Sequence, residues 1–261
     1  MAYATLGFEI AADVATITLN RPESLNAMNM EMCRELMSAA LDCEEAQVRA
    51  VVVTGAGKAF CAGGDLATFH AQKDSLPRYV KEMATALHVS LSRLARLDAP
   101  VLAAVNGVAA GGGFSLVCAC DLVLAARSAR FTMAYTRAGL SPDGGSTYFL
   151  PRIVGQRRAM ELALLNPVLS ADEALDWGIV NRVVDDGACL AETMRLAREL
   201  ADGAPLAHAA VKRMLSASLN DTLESQLDRE TRNIAGMART ADAREGIAAF
   251  LEKRKPRFQG R

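Results

Sequence analysis

The stretch Ala99-Pro-Val-Leu-Ala-Ala-Val-Asn-Gly-Val-Ala-Ala-Gly-Gly-Gly-Phe-Ser-Leu-Val-Cys-Ala-Cys120 contains no charged side chain. It is long enough to cross a bilayer. However, Pro100, Asn106, Gly107 and the triplet Gly111-Gly112-Gly113 interrupt it, and Asp121 closes it. Read with that punctuation, it is a buried strand over Val101–Val105, a turn at Asn106-Gly107 and a buried helix over Phe114–Cys120. A strand apolar on both faces belongs in a sheet covered by helices on both sides. This segment therefore points to an α/β protein.

The flanks repeat the pattern. Upstream, Val48–Thr54 is a second continuous apolar strand, Arg49 aside, and it ends in Gly55-Ala-Gly-Lys-Ala-Phe-Cys-Ala-Gly-Gly-Asp65. A helix is predicted between the two strands, over Pro77–Leu97, and the segment Ala67–Lys81 reads as polar and irregular. At the start, Phe8–Ile10 and Val14–Leu19 flank Ala11-Ala12-Asp13 as a hairpin. Pro22 then ends the second strand because it has no N–H for the ladder. Met32, Leu36, Ala39 and Ala40 lie at helical spacing within Asn29–Ala46. Downstream, Leu122–Ala125 is a strand, after which helices take over. Ser170-Ala-Asp-Glu173 is a capping box opening a helix that ends near Trp177-Gly178. Val211–Leu227 and Ala241–Lys253 are predicted as long helices. The organisation expected is an α/β core over residues 1–200 with a C-terminal helical subdomain over 201–261.

Composition narrows the function. The chain is 51% hydrophobic and 23% charged, ordinary for a globular protein, and its net charge of −1 gives no drive toward nucleic acid or an anionic membrane. The six cysteines form no C-x-x-C pair and no zinc spacing, so buried free thiols and no metal are expected. The first residues have neither a basic region nor an apolar run, so a signal peptide is not expected and a cytoplasmic protein is.

The chemistry resides in the two glycine-rich turns, each following a buried strand. Either alone reads as a tight strand-to-helix connection. Together they could aim backbone N–H groups at one point beyond the carboxyl ends of the strands, where ligands of open α/β folds bind. That is the design of an oxyanion hole, and the second turn would add a helix dipole. Dinucleotide and phosphate loops are excluded, because Phe60 stands where the third Gly of G-x-G-x-x-G belongs and no G-x-x-x-x-G-K-[ST] occurs.

Three segments in this order and spacing resemble the crotonase superfamily, the enoyl-CoA hydratase/isomerase family. They are Ile17–Pro22 with Leu25-Asn-Ala27, Ala59-Phe-Cys-Ala-Gly-Gly-Asp-Leu66, and Pro100–Gly113, and the match runs on to Ala248–Lys253. The resemblance implies a ClpP/crotonase-like fold of repeated ββα units, with a helical C-terminal part that mediates trimers or hexamers. It implies an acyl-CoA substrate, no separate cofactor, and oxyanion-hole N–H groups at Gly64 and Gly112. It also implies coenzyme A contacts from Ser24, Leu25, Ala27, Ala62, Asp65, Leu66 and Leu140. Phe250 and Lys253 would complete them, commonly from a neighbouring subunit. The basic run Lys253-Arg-Lys255 suits phosphates, and equally a solvated helix end.

The chain departs from the hydratases of that family, which use two glutamates. Ser115 and Tyr135 occupy those two positions, and neither can act as a carboxylate, so hydration is not the expected activity. A carboxylate does occur nearby, at Asp143 in Gly139-Leu-Ser-Pro-Asp-Gly-Gly145. The resemblance places it where several enoyl-CoA isomerases of the superfamily carry their acid/base. Asp143 also reads as an N-cap of a helix starting near Gly144, or as ordinary turn chemistry. An aryl-CoA dehalogenase of the superfamily uses an aspartate there as nucleophile with a histidine on the preceding helix, which His88 matches. Isomerisation is the leading expectation. Hydration, nucleophilic chemistry with Asp143 and His88, and a non-catalytic acyl-CoA-binding relative are the alternatives.

Overall fold

Strands that bury both faces need a helical layer on each side, and the chain supplies both. The computed structural model describes residues 3–261. It opens with the hairpin β1 (Leu6–Ala11) and β2 (Val14–Leu19), turned at Ala12 and Asp13 with φ of 48° and 62°. Helix α1 (Met30–Glu45) follows, capped by the Asn29 side chain accepting the Met32 N–H at 2.9 Å. Next come β3 (Ala50–Gly55), β4 (Ala59–Cys61), α2 (Leu66–Ala71) and α3 (Leu76–Arg96). After them lie β5 (Val101–Val105), β6 (Val108–Ala110), α4 (Gly112–Ala119), β7 (Leu122–Ala126), β8 (Arg130–Thr132) and α5 (Ser146–Leu165). The remainder is β9 (Leu169–Ser170), α6 (Ala171–Asp176), β10 (Arg182–Val184), α7 (Cys189–Ala201), α8 (Pro205–Ser218), α9 (Leu223–Met237) and α10 (Ala241–Leu251).

The strands form two sheets. One has the order β1-β2-β3-β5-β7-β10 and is parallel apart from the opening hairpin. The other has the order β4-β6-β8-β9 and is parallel apart from β8 with β9. After β3, β5 and β7 alike, the chain crosses within a few residues to the second sheet and then enters a helix. This is the repeated ββα unit that the resemblance implies.

Alternate side chains of the central strands enter different cores. Val51, Val53, Val101 and Ala103 pack with Met32 and Leu36 of α1, Leu87 and Leu94 of α3, and Phe114 of α4. Ala50, Val52, Leu102 and Ala104 pack with Cys189 and Ala197 of α7. Each fully buried Val or Leu contributes about 1.5–3 kcal/mol, which explains the uncharged run at Ala99–Cys120. No helix among the described residues is long and apolar enough to cross a membrane. All six cysteines are free, and five of them are buried.

Several expectations need correction. Val211–Leu227 is not one helix: α8 stops at Ser218, and Thr222 caps α9 by accepting the Ser225 N–H at 3.2 Å. Asn220-Asp221-Thr222 carried that cap signal, which the apolar spacing on either side masked. The segment Ala67–Lys81 is helical, consisting of most of α2, a 3-10 turn at Lys73–Ser75 and the start of α3. Strands also continue beyond β7. β8, β9 and β10 are each two or three residues long, too short for an alternating pattern to register. The capping box at Ser170 forms as expected, with Glu173 bonding back to the Ser170 N–H.

Candidate active site

Both glycine turns sit beyond the carboxyl ends of their strands, and two asparagines tie down the first. Asn26, wholly buried, donates to the carbonyls of Ala56 and Ala59 and accepts the Arg21 N–H. Asn106, at the end of β5, accepts the Gly55 N–H and donates to Gly57. Both residues stand in the segments that resemble the family, but nothing in their spacing marked them as the braces of the first turn.

The two turns touch through their main chains. A Cβ on Gly63 would lie 3.0 Å from the Ala110 carbonyl and 3.4 Å from the Gly111 Cα, so only glycine permits the approach. Met28 pairs with this turn as a short parallel bridge, its N–H on the Gly63 carbonyl at 2.7 Å and its carbonyl on the Asp65 N–H at 2.9 Å. Neighbouring N–H groups of an extended chain point to opposite sides, so the Gly64 N–H faces away from Met28. Gly112 is the first residue of α4, and its N–H has no place in the helical ladder. Among the described residues, neither the Gly64 nor the Gly112 N–H has a hydrogen-bond partner.

Beside the second turn runs a chain of hydroxyls that ends on a carboxylate. The Tyr135 hydroxyl donates to Asp143 Oδ1 at 2.6 Å and lies 2.8 Å from Ser115 Oγ, which also reaches the Gly111 carbonyl at 3.2 Å. Tyr135 stands close to the second turn, since a Cβ on Gly112 would meet its hydroxyl at 4.0 Å. Burial, reinforced by the charge of Asp143 and its hydrogen bond, pushes the Tyr135 phenol well above its ordinary value, so it remains a neutral donor. Asp143 does not cap α5 with its side chain. The N-cap is Gly145, and only the Asp143 carbonyl engages the helix, accepting from the Ser146 N–H and hydroxyl. His88, on α3, accepts the Gly144 N–H through Nε2 at 3.1 Å.

The hydroxyl chain can serve either protonation state of the carboxyl. With Asp143 ionised, Ser115 donates to Tyr135 and Tyr135 donates to Asp143. With Asp143 protonated at Oδ2, Oδ1 still accepts from Tyr135, and the chain keeps its direction. The Ser115 and Tyr135 hydroxyls keep their partners in either state.

The residues expected to contact coenzyme A fall into two groups. Ser24, Leu25, Ala27, Ala62, Asp65 and Leu66 gather at the first turn: Ala62 N–H donates to the Leu25 carbonyl and the Arg21 guanidinium to the Ala27 carbonyl. Asp65 is already engaged there. Its carboxylate caps α2 through the Thr68 N–H and pairs with Arg21 at 3.0 Å. Burial acts to raise the Asp65 pKa, but the Thr68 N–H and Arg21 overcome it and hold the carboxyl below its ordinary value. Leu140 belongs to the Tyr135–Asp143 loop, its N–H on the Tyr135 carbonyl. Phe250 and Lys253 lie elsewhere, on the arm anchored at the opposite end of β3, where Arg49 donates to the Ala201 and Phe258 carbonyls. Phe250 is 83% exposed. Arg254 and Lys255 are held by Glu245, Glu252 and Asp202, whereas Lys253 has no ion partner among the described residues.

Two largely parallel sheets linked by ββα repeats, with two glycine turns beyond the ends of their strands, define a crotonase-type fold. The profile of the family described as enoyl-CoA hydratase/isomerase matches residues 9–261, and the chain belongs to that family. It is 44% identical, over the full length of both chains, to a probable enoyl-CoA hydratase of Rhodobacter capsulatus. It is 43% identical to a 1,2-epoxyphenylacetyl-CoA isomerase of Escherichia coli, covering 95% of each chain. A solved structure of a putative enoyl-CoA hydratase from Streptomyces coelicolor superposes with a TM-score of 0.95 at 35% identity, covering 100% of this chain and 96% of the other.

Proposed function

We propose that the protein is an enoyl-CoA isomerase in which Asp143 is the single acid/base. The observation that carries this reading is the Tyr135–Asp143 hydrogen bond of 2.6 Å, which orients one carboxylate oxygen and leaves Oδ2 for the substrate. The Asp143 carboxylate takes the α-proton of a 3-enoyl thioester. The electron pair moves into the thioester carbonyl, whose oxyanion accepts the N–H groups of Gly64 and Gly112. As the dienolate collapses, the carbonyl re-forms and Asp143 returns the proton to the γ-carbon, giving the 2-enoyl thioester. One carboxyl suffices because the proton it removes is the one it returns, and the Tyr135 bond to Oδ1 holds the carboxyl in place through both halves. Hydration would need a second acid/base group where the hydroxyls of Ser115 and Tyr135 stand. The isomerase among the relatives makes a ring-bearing acyl group from aromatic breakdown a natural first substrate class to test.

Surface chemistry supports self-assembly. Helix α9 buries no residue and exposes Leu223, Leu227 and Ile234, while Leu215 of α8 and Leu219, the residue that ends it, are exposed as well. An apolar face of this kind supports cover by further copies of the chain, and the resemblance implies a homotrimer or a dimer of trimers. A neighbouring subunit would then supply Phe250 and Lys253 to the coenzyme. Asp143→Asn keeps the acceptor for Tyr135 and removes the base. It is expected to lower kcat for 3-enoyl-CoA by about 10²–10⁴-fold with thioester binding intact. Turnover equal to wild type would refute the assignment, and a covalent aryl adduct trapped on Asp143 would establish the nucleophilic alternative.

A further inference from the structure

We propose that His88 is a positioning residue that pins the Asp143–Gly144 peptide, rather than a base acting on water; the inference rests on Asp143 as the acid/base. Three elements hold this peptide unit. On its carbonyl side, the Asp143 oxygen accepts the Ser146 N–H at 3.1 Å and the Ser146 hydroxyl at 2.8 Å. On its amide side, the Gly144 N–H donates to His88 Nε2 at 3.1 Å. Beyond the backbone, Tyr135 holds the carboxylate itself.

The amide anchor matters because two glycines stand at and after it. Gly144 and Gly145 both have positive φ, 59° and 72°. No larger residue can stiffen the first of them, because a Cβ on Gly144 would lie 2.8 Å from Ser115 Cβ. Two successive glycines leave the peptide free to rotate, so the plane that aims Asp143 must be set from outside. His88 can set it because α3 is rigid there: Leu87 and Leu91 beside it are buried in the main core.

The same bond assigns the histidine's chemistry. A backbone amide can only donate, so Nε2 is the unprotonated nitrogen and the ring proton sits on Nδ1. With that lone pair engaged by Gly144, His88 cannot also take a proton from water at Oδ2 of Asp143. The role suggested by the dehalogenase resemblance therefore conflicts with the contact His88 makes.

The test compares His88→Leu, which removes the acceptor, with His88→Gln, whose Oε1 can replace Nε2. It also tracks the Gly144 amide in protein carrying 15N-labelled glycine. His88→Leu is expected to lower kcat for 3-enoyl-CoA by about ten-fold or more, as for an orphaned amide, with KM within about two-fold. His88→Gln should restore most of kcat. The Gly144 amide resonance should shift in the Leu variant and return in the Gln variant. A Gln variant as impaired as the Leu variant, or a Leu variant with wild-type kcat, overturns the proposal. So does an Nε2–H tautomer in the imidazole 15N spectrum of the wild-type protein, a measurement that needs no variant. If wild type fails to isomerise 3-enoyl-CoA, the isomerase reading falls, and the amide and imidazole spectra still decide the clamp.

Discussion

Gly113→Ala tests how the oxyanion hole is built. A Cβ on Gly113 would sit 2.3 Å from the Cys61 carbonyl oxygen and 2.6 Å from Cys61 Cβ. Ordinary contacts begin near 3.4 Å, so about 1 Å of separation must open between α4 and the end of β4. Neither side can yield locally, because Cys61 and all of α4 are buried and the closest atom is backbone. Overpacking of this kind costs about 1–3 kcal/mol, offset by up to about 1 kcal/mol from the better helix propensity of Ala. A net loss of about 1–2 kcal/mol is expected. The functional loss should be larger, because the opening separates the turn carrying Gly64 from the turn carrying Gly112, and a 1 Å misplacement can cost about 10²-fold in rate. Gly112→Ala is the control. Its Cβ would press on the Met28 thioether at 3.2 Å, a flexible group, with Leu87 and Tyr135 at 4.0 Å, and stability should stay within about 1 kcal/mol of wild type. Equilibrium denaturation at fixed protein concentration, with steady-state turnover of the same samples, measures both. Gly113→Ala with wild-type stability and kcat, or Gly112→Ala as the less stable of the two, would refute the reasoning.

Lys212 reaches from α8 to the Leu94 and Ala99 carbonyls and pairs with Asp121 at 2.7 Å, its side chain 9% exposed against 30% for Asp121. Lys212→Met should destabilise by about 2–4 kcal/mol, somewhat below a fully buried pair. Burial already holds the Asp121 carboxyl above its ordinary value, opposed by Lys212 and by the Val101 N–H. Removing Lys212 raises it further. The folded variant then binds that proton more tightly than the unfolded chain, so its deficit is largest near neutral pH and shrinks as pH falls through the folded-state titration. A deficit that stays constant across that range would contradict this account. Ile234→Glu, on the unburied face of α9, should leave the fold intact and shift light-scattering mass from an oligomer toward the single chain; an unchanged mass would rule out this face as the interface.

Much of this protein is local information. The uncharged run at Ala99–Cys120 could only be strand, turn and helix once Asn106-Gly107 and the glycine triplet interrupted it; β5 and α4 formed as read, and the short β6 between them was not foreseen. The capping box at Ser170 and the hairpin at Ala12-Asp13 were legible for the same reason, since side chains a few residues apart decide them. The second sheet was not legible. Its strands are two or three residues long and stabilised by partners far along the chain, as when Arg130 pairs with Ser170.

The candidate site divides along the same line. The sequence alone determined that two glycine turns follow buried strands, and its family resemblance implied that Asp143 stands near two residues that cannot act as carboxylates. Only the tertiary structure decided what those residues do to one another. It placed the Gly63 main chain against Gly111, swung Asp143 off the start of α5 onto Tyr135, and brought His88 across from α3 to the Gly144 amide. The physical reason is range. Caps and turns are settled by neighbours in the chain, whereas a hydrogen bond between residues 56 positions apart exists only after the core has packed the helix and the loop together.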